Sequence, residues 1–344
     1  MYSLPNRLHL STDALTANWR ALATMSGAAA CGAAVKANGY GLGAREVVTR
    51  LIAAGCRDLY VATWAEAAVV AGLGARVTVL HGVREADVRL IGLPEVRPML
   101  NTAAQVARWR AVAGGAACDV MVDTGMNRLG VAADDIAAGL LDGLAIDTLA
   151  SHLACADEPA APLNALQHGR FAALHGRTGA RRMSLANSAG IALGPDYAFD
   201  LTRPGLALYG GVPCPALRGI VRPVVTIAAE VLQRRVVRAG EPVGYNATWR
   251  APRDTTVAIV NLGYADGYWR GFSDRGTASA GGQAVPVIGR VSMDLVALDV
   301  DGIDIAEGDW VTFDPDLPRA AAASGMSQYE LLTGLGQRFE RRWT

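Results

Sequence analysis

The chain has 344 residues, with 32 basic and 32 acidic side chains and no formal net charge. That length exceeds one ordinary domain, and a neutral chain without long like-charged runs offers neither a nucleic-acid groove nor a face for an anionic membrane. A small molecule is the expected partner. Five scattered cysteines, Cys31, Cys56, Cys118, Cys155 and Cys214, lack CxxC spacing, which points to reduced thiols and no metal site. The opening MYSLPNRLHLSTDAL has no basic segment leading into a long apolar one, and no run of about 18 apolar residues follows, so a cytoplasmic protein outside the membrane is expected.

In chain order, short apolar or β-branched runs alternate with Ala-rich helical segments from residue 31 to about 210. The runs are CGAAVK (31–36), DLYVAT (58–63), VTVLHGV (77–83), VRPML (96–100), CDVMVDT (118–124), IDTLASHL (146–153), RRMSLANS (181–188) and DLTRPGLALYG (200–210). Eight strand-helix units without a GxGxxG fingerprint predict an α/β fold of the (β/α)8 TIM-type barrel class, with its chemistry at the C-terminal strand ends. Lys36, Thr63, His81, Asp123, His152, Asn187, Ser188 and Arg203 stand at or near those ends. Beyond Pro213-Cys214-Pro215 the pattern changes to closely spaced strands with Gly and Pro turns, predicting a mainly antiparallel C-terminal β-domain. The expected domains are a barrel over 8–215 and a β-domain over 216–344, with residues 1–7 able to pair with the latter. SQYELLTGLGQRFERRW near the end predicts a short helix and a basic terminal strand.

Lys36 carries the functional argument. Lysine is scarce here, the basic residues being nearly all Arg, and Lys36 follows the small or apolar Cys31 to Val35 where a buried strand opens into the Gly-rich ANGYGLG. Most lysines are solvated surface groups. An amine held in this setting can lose its charge through desolvation, and only a neutral amine attacks a carbonyl to form an imine.

The chain as a whole resembles the alanine racemases, fold-type III pyridoxal 5'-phosphate (PLP) enzymes. AAVKANGYGLG resembles the family's cofactor-lysine signature, VDTGMNRLG its arginine loop, SHLACAD its histidine strand, and LANSAG and RPGLALYG its phosphate and pyridine elements. VGYNATW, GYADGY, GRVSMD and YELLTGLG match the β-domain in order. The resemblance makes Lys36 the residue linked to PLP. It places Arg203 at the pyridine nitrogen, to which an ever-protonated guanidinium can donate but which it does not readily protonate. His152 would lie against the ring. Tyr40, Asn187, Ser188, Gly205, Leu206 and Tyr329 would serve the phosphate and cofactor, although Asn187-Ser188 read alone is a helix cap.

Racemisation removes a proton from one face of Cα and returns one to the other. The resemblance assigns Lys36 to one face and Tyr245 to the other, with Tyr245 supplied by the partner subunit of a homodimer with shared sites. A phenol of reference pKa about 10 needs cationic neighbours to act as a base, and Arg128 with the His152 and Arg203 pair are the candidates. Arg128 and the Met293 N–H would hold the substrate carboxylate. Tyr264 and Tyr329 would narrow the side-chain pocket to a methyl group, and Asp294 would lie at its approach.

One methylene discriminates by only about 1–3 kcal/mol, so a broader small-amino-acid (serine) racemase is an alternative. A fold-type III amino-acid decarboxylase is another, as is a PLP-carrying protein without catalysis. The activity implied first is interconversion of L- and D-alanine, supplying D-alanine for cell-wall peptidoglycan. Three positions depart from the family pattern. Leu42 replaces a common histidine, Met121 stands where many members carry a carbamylated lysine that braces the loop arginine, and Ser184 occupies a frequent histidine position.

Overall fold

The structure is a computed structural model that describes residues 4–344; residues 1–3 of the segment 1–7 lie outside the described residues. Strand β1 (Asn6–Leu10) leads into helix α1 (Thr12–Met25). Ser11 Oγ caps this helix by accepting the Ala14 N–H at 3.1 Å. Its Leu15, Trp19 and Leu22 recur at helical spacing and are buried. From the buried side, Asn18 Nδ2 donates to the Leu208 carbonyl at 3.2 Å and Ser26 Oγ lies 2.9 Å from Thr202 Oγ1.

The barrel strands follow as β2 (Ala30–Cys31), β3 (Ala33–Ala34), β4 (Asp58–Val61), β5 (Arg76–Val79), β6 (Val96–Leu100), β7 (Cys118–Met121), β8 (Ile146–Ala150), β9 (Arg182–Ser184) and β10 (Leu201–Thr202). Strands β3 to β9 form one parallel sheet in sequence order, and β10 pairs in parallel with β2. Pairing is carried from β9 to β10 by Asp200 N–H to Met183 O at 3.0 Å and Arg203 N–H to Ala186 O at 2.8 Å. Strands β2 and β3 are one line of chain broken at Gly32, where a Cβ would stand 2.8 Å from the Asp58 carbonyl oxygen. The first barrel strand thus hydrogen-bonds on both sides and the cylinder closes. The units are not uniform: the connection after β5 holds only the 3-10 turn Glu85–Leu90, whereas the one after β6 holds the regular helix Ala103–Val112.

The β-domain begins with the long β11 (Val225–Val237), followed by β12 (Pro242–Val243), β13 (Trp249–Arg250), β14 (Thr255–Val260), β15 (Thr277–Ala280), β16 (Gln283–Ile288), β17 (Val296–Asp299), β18 (Trp310–Phe313) and β19 (Glu340–Trp343). Strand β11 pairs antiparallel with β18 along its first half and, past a register shift between Val231 and Gln233, with β14 along its second. The ring β11, β14, β17, β16, β15, β18 therefore closes on itself. Strand β1 joins this sheet antiparallel to β11, and β19 adds in parallel to β1. Leu10 is still paired with Val225, so the pairing runs past residue 7. By contacts, residues 4–14, Tyr209–Gly211 and Arg222–Thr344 form one compact unit, and Leu15–Leu208 with Val212–Val221 the other. The predicted terminal helix and strand are Gln328–Thr333 and β19.

Candidate active site

Lys36 stands two residues beyond β3 and is the only lysine in the chain. The next four residues, Ala37, Asn38, Gly39 and Tyr40, all have left-handed backbone, with φ of 53°, 55°, 63° and 53°. Such a run costs non-glycine residues about 1–2 kcal/mol each and needs to be held. Gly39 N–H bonds to Val35 O and Gly41 N–H to Ala37 O, both at 2.9 Å. Glu66 Oε1 accepts the Ala37 N–H at 2.8 Å, and Asn38 Oδ1 accepts the Ala44 N–H at 2.9 Å. Gly39 eases the run twice over, since a Cβ there would crowd the Val47 side chain at 3.1 Å as well as take on the positive φ. Glu66 was not singled out from sequence, though Thr63-x-x-Glu66 is a readable capping box. The turn delivers the Tyr40 hydroxyl to Gly205, where a Cβ would stand 2.4 Å from it.

Four nitrogen groups gather electrostatically around this strand end. Burial lowers the Lys36 pKa, the Arg128 charge lowers it further, and Glu66 opposes. Burial, then Arg203, Arg128 and Lys36, push the half-buried His152 down to about 3, so its imidazole is neutral near neutral pH. Arg203 is buried at 7 % exposure. Its Nη2 donates to Ser151 O at 2.5 Å and its Nη1 donates to Ser184 Oγ, which in turn donates to Leu201 O. The Tyr60 ring lies 5.8 Å from the guanidinium carbon. In the sequence Ser184 is visible only as a departure from the family pattern, and nothing local marks Tyr60.

The neighbouring polar turns are also specific. Asp123 Oδ1 accepts the Gly125 N–H at 2.7 Å and Oδ2 the Arg128 N–H at 3.1 Å. Burial raises this carboxyl, but the surrounding backbone N–H groups outweigh it and leave the pKa low. The arginine loop is therefore pinned through its backbone, leaving the Arg128 side chain exposed. Met121 is buried at the end of β7. Ser188 Oγ accepts the N–H groups of Gly205 at 2.9 Å and Ala207 at 3.2 Å, and Leu206 is buried between them. Asn187 Oδ1 accepts the Gly190 N–H at 2.8 Å, so its side chain acts here as a helix cap.

Within the β-domain, the other expected residues sit on linked turns. Tyr245 follows β12 and is 68 % exposed, with the left-handed Asn246 and Ala247 after it. The chain before it runs against the 289–290 turn, where a Cβ on Gly289 would stand 2.6 Å from Val243 O. Tyr264 N–H bonds to Ser292 O at 3.1 Å and Ala265 N–H to Met293 O at 3.0 Å. Gly263 is obligatory there, because a Cβ would fall 2.2 Å from the Met293 oxygen. The Arg270 guanidinium lies 5.0 Å over the Tyr264 ring. Arg338 grips the fully buried Asp266 through Nε at 2.7 Å and Nη2 at 2.9 Å, and reaches Asp294 through Nη1 at 2.7 Å. Asp294 is thus an ion-pair partner of Arg338, a residue sequence reading left out. Tyr329, on the helix Gln328–Thr333, is 46 % exposed.

A parallel barrel with the chain's one lysine at the end of its first strand, joined in the same chain to a closed antiparallel domain, defines a two-domain barrel protein with a candidate amine site. The family description "Alanine racemase, N-terminal domain" matches residues 10–213, and "Alanine racemase, C-terminal domain" matches residues 224–343. The chain belongs to the alanine racemase family. An alanine racemase of Acidiphilium cryptum is 44 % identical over 97 % of both chains. One of Agrobacterium fabrum, named biosynthetic, is 39 % identical over 98 % of this chain and 94 % of its own. The crystal structure of the Bartonella henselae alanine racemase, described with covalently bound pyridoxal phosphate, superposes over the whole of both chains with a TM-score of 0.91 at 32 % identity.

Proposed function

We propose that the protein interconverts L- and D-alanine with PLP held covalently on Lys36, and that Lys36 and Tyr245 move protons on opposite faces of the substrate Cα. The observation that carries this reading is the lone amine, its pKa lowered by burial and Arg128, in the positive field of Arg128 and Arg203 and beside a neutral His152. That field suits an anionic cofactor, and the donor set fits PLP. Lys36 provides the neutral amine for covalent attachment, and Arg203 a buried donor fixed by Ser184 and Ser151. Tyr40, Ser188, Gly205 and Leu206 offer hydroxyl and backbone groups for its phosphate, around the close Tyr40 and Gly205 approach, and the family resemblance adds the Tyr329 hydroxyl from the β-domain. PLP supplies an electron sink that makes the Cα proton removable.

The chain's own groups do the rest. Arg128 and the Met293 N–H orient the α-carboxylate, Tyr264 and Tyr329 limit the side chain to about a methyl group, and Asp294 sets the approach through Arg338. A neutral His152 adds no competing charge beside Arg203. Because Tyr245 and Met293 belong to the β-domain and Lys36 to the barrel, we place them together in a homodimer, each site combining one protomer's barrel with the partner's β-domain. The five cysteines are free, which is consistent with a reducing cytoplasm, and no helix among the described residues is long and apolar enough to cross a membrane. The biosynthetic name of the Agrobacterium relative supports a role in supplying D-alanine to peptidoglycan.

The test is incubation of the purified protein with L-alanine in deuterated water, following optical rotation and Cα deuterium together. Racemisation predicts loss of rotation with deuterium at Cα. Release of carbon dioxide instead would replace this reading with decarboxylation, and equal rates on serine would broaden it.

A further inference from the structure

A second concave site lies wholly inside the β-domain. A cavity of about 400 Å³ is bounded by residues of β11, β15 and β18 on one side and by the helices Leu317–Ser324 and Gln328–Thr333 on the other. Packed interiors hold few voids larger than a water molecule, whereas small-molecule pockets occupy roughly 300–1,000 Å³. Its walls are largely apolar, with Phe272, Phe313, Leu317, Leu331, Leu332 and Leu335 lining it. Tyr245, Tyr264, Met293 and Tyr329 are not among its lining residues.

Two polar groups without a side-chain partner among the described residues line this space, one buried and one at its solvent-exposed rim. Tyr268 is only 4 % exposed and stacks on Phe272 at 4.3 Å between ring centroids. Its hydroxyl has no hydrogen-bond partner among the described residues, and it reaches the cavity wall over Gly276, where a Cβ would stand 2.1 Å away. Burial and the nearby Asp314 carboxylate raise its pKa, so the phenol stays a neutral donor. Arg275, exposed at the rim, makes no ion pair or side-chain hydrogen bond among the described residues. The other lining guanidinium, Arg319, is matched to Asp314, its Nη2 donating to Oδ1 at 2.6 Å. The Arg275 charge is therefore unbalanced, and the site carries a surplus positive charge beside a phenol donor and an aromatic floor.

We propose that this cavity binds a small monocarboxylate with an apolar body, a ring or a branched chain, its carboxylate on Arg275 and Tyr268 and its body among the phenylalanines and leucines. Alanine does not suit it: a methyl group leaves most of the volume empty, and the ammonium would meet the surplus charge of Arg275. Succession in the chain ties the cavity to the candidate active site. Gly267 and Tyr268 follow the Tyr264 turn directly, and Leu331 and Leu332 share their helix with Tyr329.

The experiment is calorimetric titration of the intact holoenzyme with phenylacetate, with phenylacetamide as the uncharged control. Phenylacetate is expected to bind at millimolar concentration or tighter, to remain bound under saturating D-alanine, and to weaken about tenfold in Arg275→Gln, the loss of one charge-assisted contact. Phenylacetamide is expected to bind at least as weakly as phenylacetate does to that variant. Ala320→Trp, which fills the space from the helix, should abolish binding. Arg275→Gln changes an exposed residue and leaves the test decisive if the tryptophan variant fails to fold. No heat of binding, displacement by D-alanine, equal binding of the amide, or undiminished binding to Arg275→Gln would each overturn the proposal.

Discussion

Both units bury many aliphatic residues, but the centre of the barrel cylinder carries a charged network that the apolar cluster of the β-domain lacks. In the barrel, Asp58 on β4 takes Arg182 on β9 at 2.9 and 3.2 Å, a bond between strands that are not neighbours and so one across the inside of the cylinder. Arg182 also reaches Asp147 at 2.7 Å, and Arg97 donates to Asp147 at 2.6 Å. Asp119, fully buried, accepts Thr78 Oγ1 at 2.6 Å and the Thr148 N–H at 3.0 Å. Arg97 Nε lies 3.0 Å from Asp119 but points off the hydrogen-bond line, so that contact is an ion pair alone. The β-domain interior instead holds Val237, Val243, Ala251, Val257 and Ile288. Directional bonds fix where each of these barrel groups stands and with them the register of the strands whose ends carry Lys36, His152 and Arg203. Apolar packing is non-directional, so the β-domain holds its turns chiefly by backbone contacts and the Arg338 clamp.

The largest effect expected is that of Lys36→Ala, which should lower kcat/KM by roughly 10⁴-fold or more. As the chain has no second lysine, borohydride reduction of the wild type should fix the cofactor mass on the peptide containing Lys36, and the variant should show none. Tyr245→Phe follows, with a loss of roughly 10²–10⁴-fold. Enantiomers have an equilibrium constant of one, so kcat/KM must fall equally in both directions. The two-base assignment instead predicts that solvent exchange at Cα survives for one enantiomer; its loss for both would place Tyr245 elsewhere than on one face.

Stability measurements test the contrast between interiors. Asp58→Ala takes its carboxylate from Arg182, which keeps Asp147, and from the half-exposed Arg76, and should cost about 1.5–3 kcal/mol, against about 0.5–1.5 kcal/mol for Ile288→Val in the β-domain. Equal urea midpoints for the two variants would erase the distinction. Ser184→Ala leaves a buried Arg203 N–H without its acceptor, for about 1–3 kcal/mol. It should also shift the visible absorption of the holoenzyme, which a purely structural loss would not do.

The smallest effect concerns pH. The His152 pKa lies near 3 in the folded chain against 6.5 as its ordinary value. The folded state then binds fewer protons than the unfolded one between these values. The His152 contribution to stability is complete above the ordinary value and is lost as pH falls toward and through about 3. His152→Phe should flatten the acid limb of the stability curve, and kcat/KM should show no inflection from this residue between about pH 5 and 8.

Much of this was legible in the sequence. The apolar runs coincide with barrel strands because strand period and turn residues are local properties, and Lys36 stood out because a lone amine behind five small residues is a local anomaly. Glu66 was legible in principle through its capping box. The partners of Arg203 were not: Ser184, Ser151 and Tyr60 lie 19, 52 and 143 positions away, and nothing local marks a serine two strands from an arginine as its acceptor. The clamp on Asp266 was equally hidden, because its partner Arg338 lies 72 positions on.

Composition, periodicity and motif spacing determined by themselves the two kinds of domain, the succession of the barrel strands and the anomaly of a lone amine at a strand end, since each depends on residues within a few positions of one another. Closure of the barrel at Gly32, the left-handed turn behind Lys36, the charged interior and the unpaired phenol of Tyr268 were decided only in three dimensions. Each depends on atoms brought together across the sheet or between helices, where hydrogen-bond geometry and exclusion of water, and not chain proximity, select the partner.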